Sequence, residues 1–174
     1  HIPPEEQGHR LLEAMAQNPH LFYLFTKANA DAGGEALNRQ LEAFCAKRGN
    51  ATLYASLGAL RYLSAMKHAA LVLGNSSSGV VETPSFGVPA VDIGLRQAGR
   101  ETGANVLHVA LETEDISRGM QTALTPEFAA AARTAQRPYR GEDTSGHIVS
   151  ILHHVLQTGA PAAPNSFSDG AATP

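Results

Sequence analysis

A chain of 174 residues with 43% hydrophobic content is long enough for one domain with an enclosed core. A formal net charge of −3 and an even spread of Lys and Arg exclude a nucleic-acid surface, which needs a concentrated basic stripe. Cys45 is the single cysteine, which excludes an internal disulfide, and no stretch reaches the roughly 18 to 20 apolar residues of a membrane helix; a cytoplasmic protein without membrane contact is expected.

The chain opens on His1-Ile2-Pro3-Pro4 without an initiator Met or a secretory leader, and reads as an excised fragment. Leu11, Leu12 and Met15 fall at helical spacing behind two prolines suited to a helix entry, predicting a helix from about Glu5 to Asn18, where Pro19 stops it. The run Leu21 to Thr26 is nearly all apolar and reads as a strand buried on both faces, as in a parallel sheet. After a loop from Asn29 to Gly34, Leu37, Leu41, Phe44 and Cys45 mark a helix. The alternation continues with a strand at Ala51 to Ala55, a helix around Leu60, Leu63 and Met66, and a strand at Ala70 to Gly74. Pro89 to Gly94 and Val106 to Val109 supply two more strands, and helices are expected over Thr113 to Ala123, Pro126 to Ala135 and Thr144 to Gln157.

Strands alternating with amphipathic helices indicate a three-layer, Rossmann-like α/β domain over residues 1–157 with about five parallel strands. Residues 158–174, rich in Pro, Gly, Ala and Ser, are expected to form a disordered tail. Open sheets of this kind bind ligands beyond the carboxyl ends of their strands.

Gly74-Asn75-Ser76-Ser77-Ser78-Gly79 lies at such an end, between a strand and the helical stretch that begins at Val80. Free N–H groups, serine hydroxyls and a helix start suit an anion there, and Gly79 has no Cβ to hold a phosphate away. The same residues also make an ordinary polar helix cap. Glu82 is spaced wrongly for a capping box, and its carboxylate can accept two hydrogen bonds from a ribose diol; a first-turn acid facing the helix dipole is the plainer reading. Beyond the next strand, Arg96 and Arg100 sit among glycines, where they can reach a diphosphate or stand solvated. Asn29 can reach the same edge or simply form a turn. His108, inside an apolar strand, reads as structural, and His147, His153 and His154 lack a carboxylate or thiol to complete a metal set, so neither metal nor cofactor is expected.

The segments Gly74 to Ala90 and Ile93 to Val106 resemble the signature of the hydrolysing UDP-N-acetylglucosamine 2-epimerases of sialic-acid pathways, with weaker similarity over about residues 20–150. The resemblance implies the C-terminal, nucleotide-sugar-binding half of a two-domain GT-B type enzyme. The missing partner is an N-terminal Rossmann-like domain that carries the acid/base carboxylates, and the whole is a homo-oligomer. Carried over by position, Ser76 and Ser77 meet the diphosphate, with Ser78 and Gly79 completing the turn. Glu82 meets the ribose, Arg96 the phosphates, Asn29 the nucleotide and the Leu57 backbone the uracil. His1 matches a histidine that opens the family's second domain, here with Ile2 intervening before Pro3, and it is the catalytic candidate in this half. The implied reaction eliminates UDP from UDP-N-acetylglucosamine and hydrates the resulting glycal to N-acetylmannosamine. A GT-B glycosyltransferase domain and a non-enzymatic nucleotide-sugar-binding fragment are the alternatives. Asp92 stands where the family often has Asn.

Overall fold

The computed structural model describes residues 2–28, 33–139, 141 and 143–159. The chain divides into two compact units, 1–138 and 139–174. In the first, α1 (Pro4–Ala16) opens on a proline, which tolerates the first helical turn because N–H groups there have no intrahelical acceptor. It turns Ala14 and Met15 into the core, and the Asn18 amide closes it by donating to the Ala14 carbonyl (3.0 Å). Next come β1 (Tyr23–Thr26), α2 (Gly34–Ala46) and β2 (Ala51–Tyr54), with β1 and β2 paired in parallel.

The β1 strand is not buried on both faces. Tyr23 and Phe25 pack against Phe44 of α2, but Phe22 and Leu24, on the opposite face, are 66% and 46% exposed. A continuous apolar run does not reveal whether both faces of a sheet are covered, and this two-stranded sheet is packed tightly on one. The apolar spacing in α3 (Gly58–His68) misleads in the same way: Met66 is buried, whereas Leu60 and Leu63 are exposed.

The second sheet is built from β3 (Val72–Gly74), two short helical turns α4 (Ser78–Val81) and α5 (Thr83–Phe86), β4 (Ala90–Ile93) and β5 (Val106–Val109). Its strand order is β3-β4-β5, all parallel, so five parallel strands form as expected but in two hydrogen-bonded sheets. Helix α6 (Thr113–Ala123) packs on β4 and β5, followed by α7 (Pro126–Arg133). A Cβ on Gly119 of α6 would lie 3.3 Å from Val91, and one on Gly79 of α4 would lie 3.9 Å from Ala90. Because Ala90 and Val91 are consecutive, they point to opposite faces, so helices cover this sheet on both sides and the α/β architecture has three layers. The core between α6, α1 and the sheets contains Ala14, Met15, Tyr23, Val91, Ile93, Ile116, Met120 and Ala123.

The second unit contributes α8 (Thr144–Thr158), capped by the Asp143 side chain and ended by Gly159 at φ 60°. The helix therefore runs into the first residue of the expected tail, and 160–174 lie outside the described residues. Among the described residues no helix is long and apolar enough to cross a membrane, and no group of three or more His, Cys, Asp or Glu is placed to hold a metal ion.

Candidate functional site

Gly74 ends β3 at φ 147°, a conformation that L side chains rarely adopt, and a Cβ there would meet nothing within 4 Å. The chain can thus turn sharply into Asn75-Ser76-Ser77 with its backbone exposed to the carboxyl edge of the sheet. The Gly79, Val80 and Val81 N–H groups donate to Ser76 and Ser77 carbonyls, and the Ser78 N–H makes a long contact with Ser76 Oγ (3.4 Å). Ser76 and Ser77 keep N–H groups without a partner among the described residues.

The helical stretch behind this turn is split into two short pieces, α4 and α5. Pro84 has no N–H to give the Val80 carbonyl, so helical bonding breaks at Glu82, and the Thr83 hydroxyl instead donates to the Gly79 carbonyl (2.6 Å). A four-residue helix carries little macrodipole, so the attraction for an anion comes from local N–H groups and hydroxyls. A Cβ at Gly79 would make only an ordinary 3.9 Å contact with Ala90 of β4, so packing on the sheet does not require glycine there.

Glu82 sits at the break between the two helical turns, with one carboxylate oxygen, Oε2, enclosed and without a hydrogen-bond partner. An enclosed acceptor left unpaired is costly, and the cost is relieved only when a donor reaches it. Facing this segment is the long crossover from Gly94 to Asn105, which links two adjacent parallel strands without a helix. Gln97 is buried and its amide donates to the Asn75 carbonyl (2.8 Å), fastening the crossover to the serine turn. Arg96 and Arg100 are exposed on it, with no carboxylate partner among the described residues. The far end is anchored by Asn105, fully buried, whose amide donates to Thr83 Oγ1 (2.8 Å) and the Val88 carbonyl (2.9 Å).

One pair was not apparent in the sequence. Asp92 and His108 stand opposite each other in the β4–β5 register, and His108 Nδ1 lies 2.9 Å from Asp92 Oδ2. The Asp92 side chain is 1% exposed and the His108 side chain 47%, so the histidine is half in solvent rather than a core residue. The sequence carried a faint signal: each is the third residue of a four-residue strand.

The structure thus brings Ser76, Ser77, Ser78, Gly79, Glu82 and the Arg96 loop to one sheet edge. Leu57 caps α3 at the carboxyl end of β2, in the other sheet, where the Gly58 N–H donates to Ser56 Oγ (3.2 Å). His1 and Asn29 lie outside the described residues. A hollow of about 420 Å3, lined by Lys67, Ala70, Phe86, Pro89, Leu124 and Arg133, opens at the opposite edge, where β3 and β4 begin. Phe86 to Pro89 of the signature segment line it, but Ser76, Ser77, Ser78, Gly79, Glu82 and Arg96 do not, and open parallel sheets hold ligands at the other edge.

Residues 3–153 match the family described as UDP-N-acetylglucosamine 2-epimerase. The chain belongs to that family. It is 32% identical over 155 residues to the polysialic acid biosynthesis protein P7 of Escherichia coli, covering 88% of this chain and 39% of that protein. It is 41% identical over 106 residues to the GDP/UDP-N,N'-diacetylbacillosamine 2-epimerase (hydrolyzing) of Campylobacter jejuni, covering 60% of this chain and 27% of that one. The fold is similar to the crystal structure of UDP-GlcNAc 2-epimerase from Neisseria meningitidis bound to UDP-GlcNAc, with a TM-score of 0.67 and 19% identity over 87% of this chain and 41% of that one. This member of the epimerase family therefore spans between 27% and 41% of the length of these relatives.

Proposed function

We propose that this chain is the C-terminal, UDP-binding half of a hydrolysing UDP-N-acetylglucosamine 2-epimerase. The observation that carries the reading is the pairing, within one short segment, of unused donors at Ser76 and Ser77 with the enclosed, unpartnered acceptor of Glu82. Donors for a diphosphate and an acceptor for ribose hydroxyls are what a nucleoside diphosphate requires. Arg96 and Arg100, without a carboxylate partner among the described residues, add positive charge where a departing diphosphate accumulates its own.

In the complete protein the C1–O bond of UDP-N-acetylglucosamine breaks as a base removes the C2 proton, giving UDP and 2-acetamidoglucal; water then adds across the double bond to give N-acetylmannosamine. This half holds the leaving UDP. The base and the group that positions the water belong to a partner domain of the same chain, with His1 at the junction as the catalytic candidate from this side. Leu57 and Asn29 complete the nucleotide site, and the complete protein is a cytoplasmic homo-oligomer.

Incubation of the complete protein with UDP-N-acetylglucosamine, followed by phosphorus and proton NMR, tests the reading. Free UDP and free N-acetylmannosamine are expected. A sugar that stays linked to UDP would identify a non-hydrolysing epimerase, and turnover only of a diacetylbacillosamine nucleotide would reassign the substrate.

A further inference from the structure

We infer that His108, held by Asp92, is a positioning residue that sets the arch of the loop bearing Arg96 and Arg100; its consequence for binding rests on the nucleotide reading above. The crossover is tied down at three points. Gln97 fastens its start to the serine turn, Asn105 fastens its end beneath α5, and between them Thr102 Oγ1 lies 3.4 Å from His108 Nε2. Arg100 falls between the first and second ties.

The chemistry of the middle tie is directional. A carboxylate offers only acceptors, so the 2.9 Å contact with Asp92 places the proton on His108 Nδ1 and fixes the ring plane. Nε2 is thereby turned toward Thr102, whose hydroxyl rotates to donate or accept as the ring requires. Simple fastening of β5 to β4 does not explain the arrangement, because the backbone ladder already joins those strands. The pair adds a connection to a loop residue that has no other side-chain bond among the described residues. His108 meets Oδ2 of the buried Asp92 carboxylate, while Oδ1 has no hydrogen-bond partner among the described residues, so the histidine offsets part of the cost of burying the charge.

Hydrogen–deuterium exchange of the peptide spanning Leu95 to Asn105, measured without nucleotide, tests the tie independently of function. His108→Leu and Thr102→Val are each expected to speed exchange of this loop about tenfold while β4 and α6 keep their protection. The double variant should be no faster than either single one. Asp92→Asn keeps an acceptor for Nδ1–H and should preserve protection, whereas Asp92→Ala should lose it. An unchanged loop in His108→Leu and Thr102→Val, or equal acceleration in the loop and in α6, overturns the inference. In a parallel titration, UDP affinity should fall about tenfold in Thr102→Val and stay near wild type in Asp92→Asn. A loosened loop with unchanged affinity overturns the positioning role. A wild-type protein that binds no UDP, with the loop still loosened by Thr102→Val, retains the tie and removes the nucleotide reading instead.

Discussion

Replacing Glu82 with Met should make the free protein more stable and the nucleotide complex weaker. The Oε2 atom of Glu82 is enclosed and unpaired, and a buried acceptor left so costs about 1–3 kcal/mol. Methionine has nearly the same length and no acceptor, so the substitution removes that cost while keeping the packing between α4 and α5. A gain of about 1 kcal/mol is expected, visible as a rise of roughly 2–4 °C in Tm for a chain of this size. If Glu82 accepts from ribose hydroxyls, the same change removes a charged partner, costs about 1–3 kcal/mol of UDP binding and weakens Kd about 5- to 150-fold. Denaturant unfolding without nucleotide and calorimetric titration with UDP read the two effects separately. Glu82→Gln, which keeps one carbonyl acceptor, should fall between. A Met variant that is less stable than wild type, or that binds UDP with unchanged Kd, would refute the reasoning.

Arg96→Ala should weaken UDP binding by about 1–3 kcal/mol, and the deficit should shrink as salt is raised, because an exposed cation acts through a screened field; calorimetry at two ionic strengths checks this. Gly103→Ala places a Cβ 2.5 Å from the Gln136 carbonyl oxygen and 2.7 Å from Asn105 Oδ1, and a backbone oxygen cannot swing aside. A loss of about 1–3 kcal/mol in denaturant unfolding is expected, with the crossover loop displaced. Burial pushes the Tyr23 hydroxyl up to about 12 from 10.0, so the folded state favours the protonated phenol. Its contribution is fully present below pH 10 and is lost as pH rises through about 12. Tyr23→Phe should flatten this part of the alkaline unfolding curve, and at neutral pH it should cost about 1 kcal/mol for the hydrogen bond that the hydroxyl gives to the Met15 or Asn18 carbonyl.

Element order and helix bounds were legible in the chain because they depend on local signals. Helix α6 spans Thr113–Ala123, the residues its apolar spacing predicts, and Pro4 and Pro126 open their helices where proline is tolerated. The serine turn, Glu82 and the Arg96 loop were legible because each follows a strand and must lie at its carboxyl end. What depends on neighbours was not. Nothing in Phe22 and Leu24 reports that one face of β1 is open. Asp92 and His108 lie far apart in the chain, and only the β4–β5 register sets them opposite each other. The break at Glu82 was readable in principle, since Pro84 forbids a continuous helix.

Where UDP binds is the most direct test of the proposed function. Titration of the 15N-labelled protein with UDP, followed by amide NMR shifts, should move the Ser76 and Ser77 resonances most, with Glu82 and the Arg96 to Arg100 amides next. Larger shifts at Lys67 to Ala70 and Leu124, around the hollow at the opposite edge of the sheet, would contradict it.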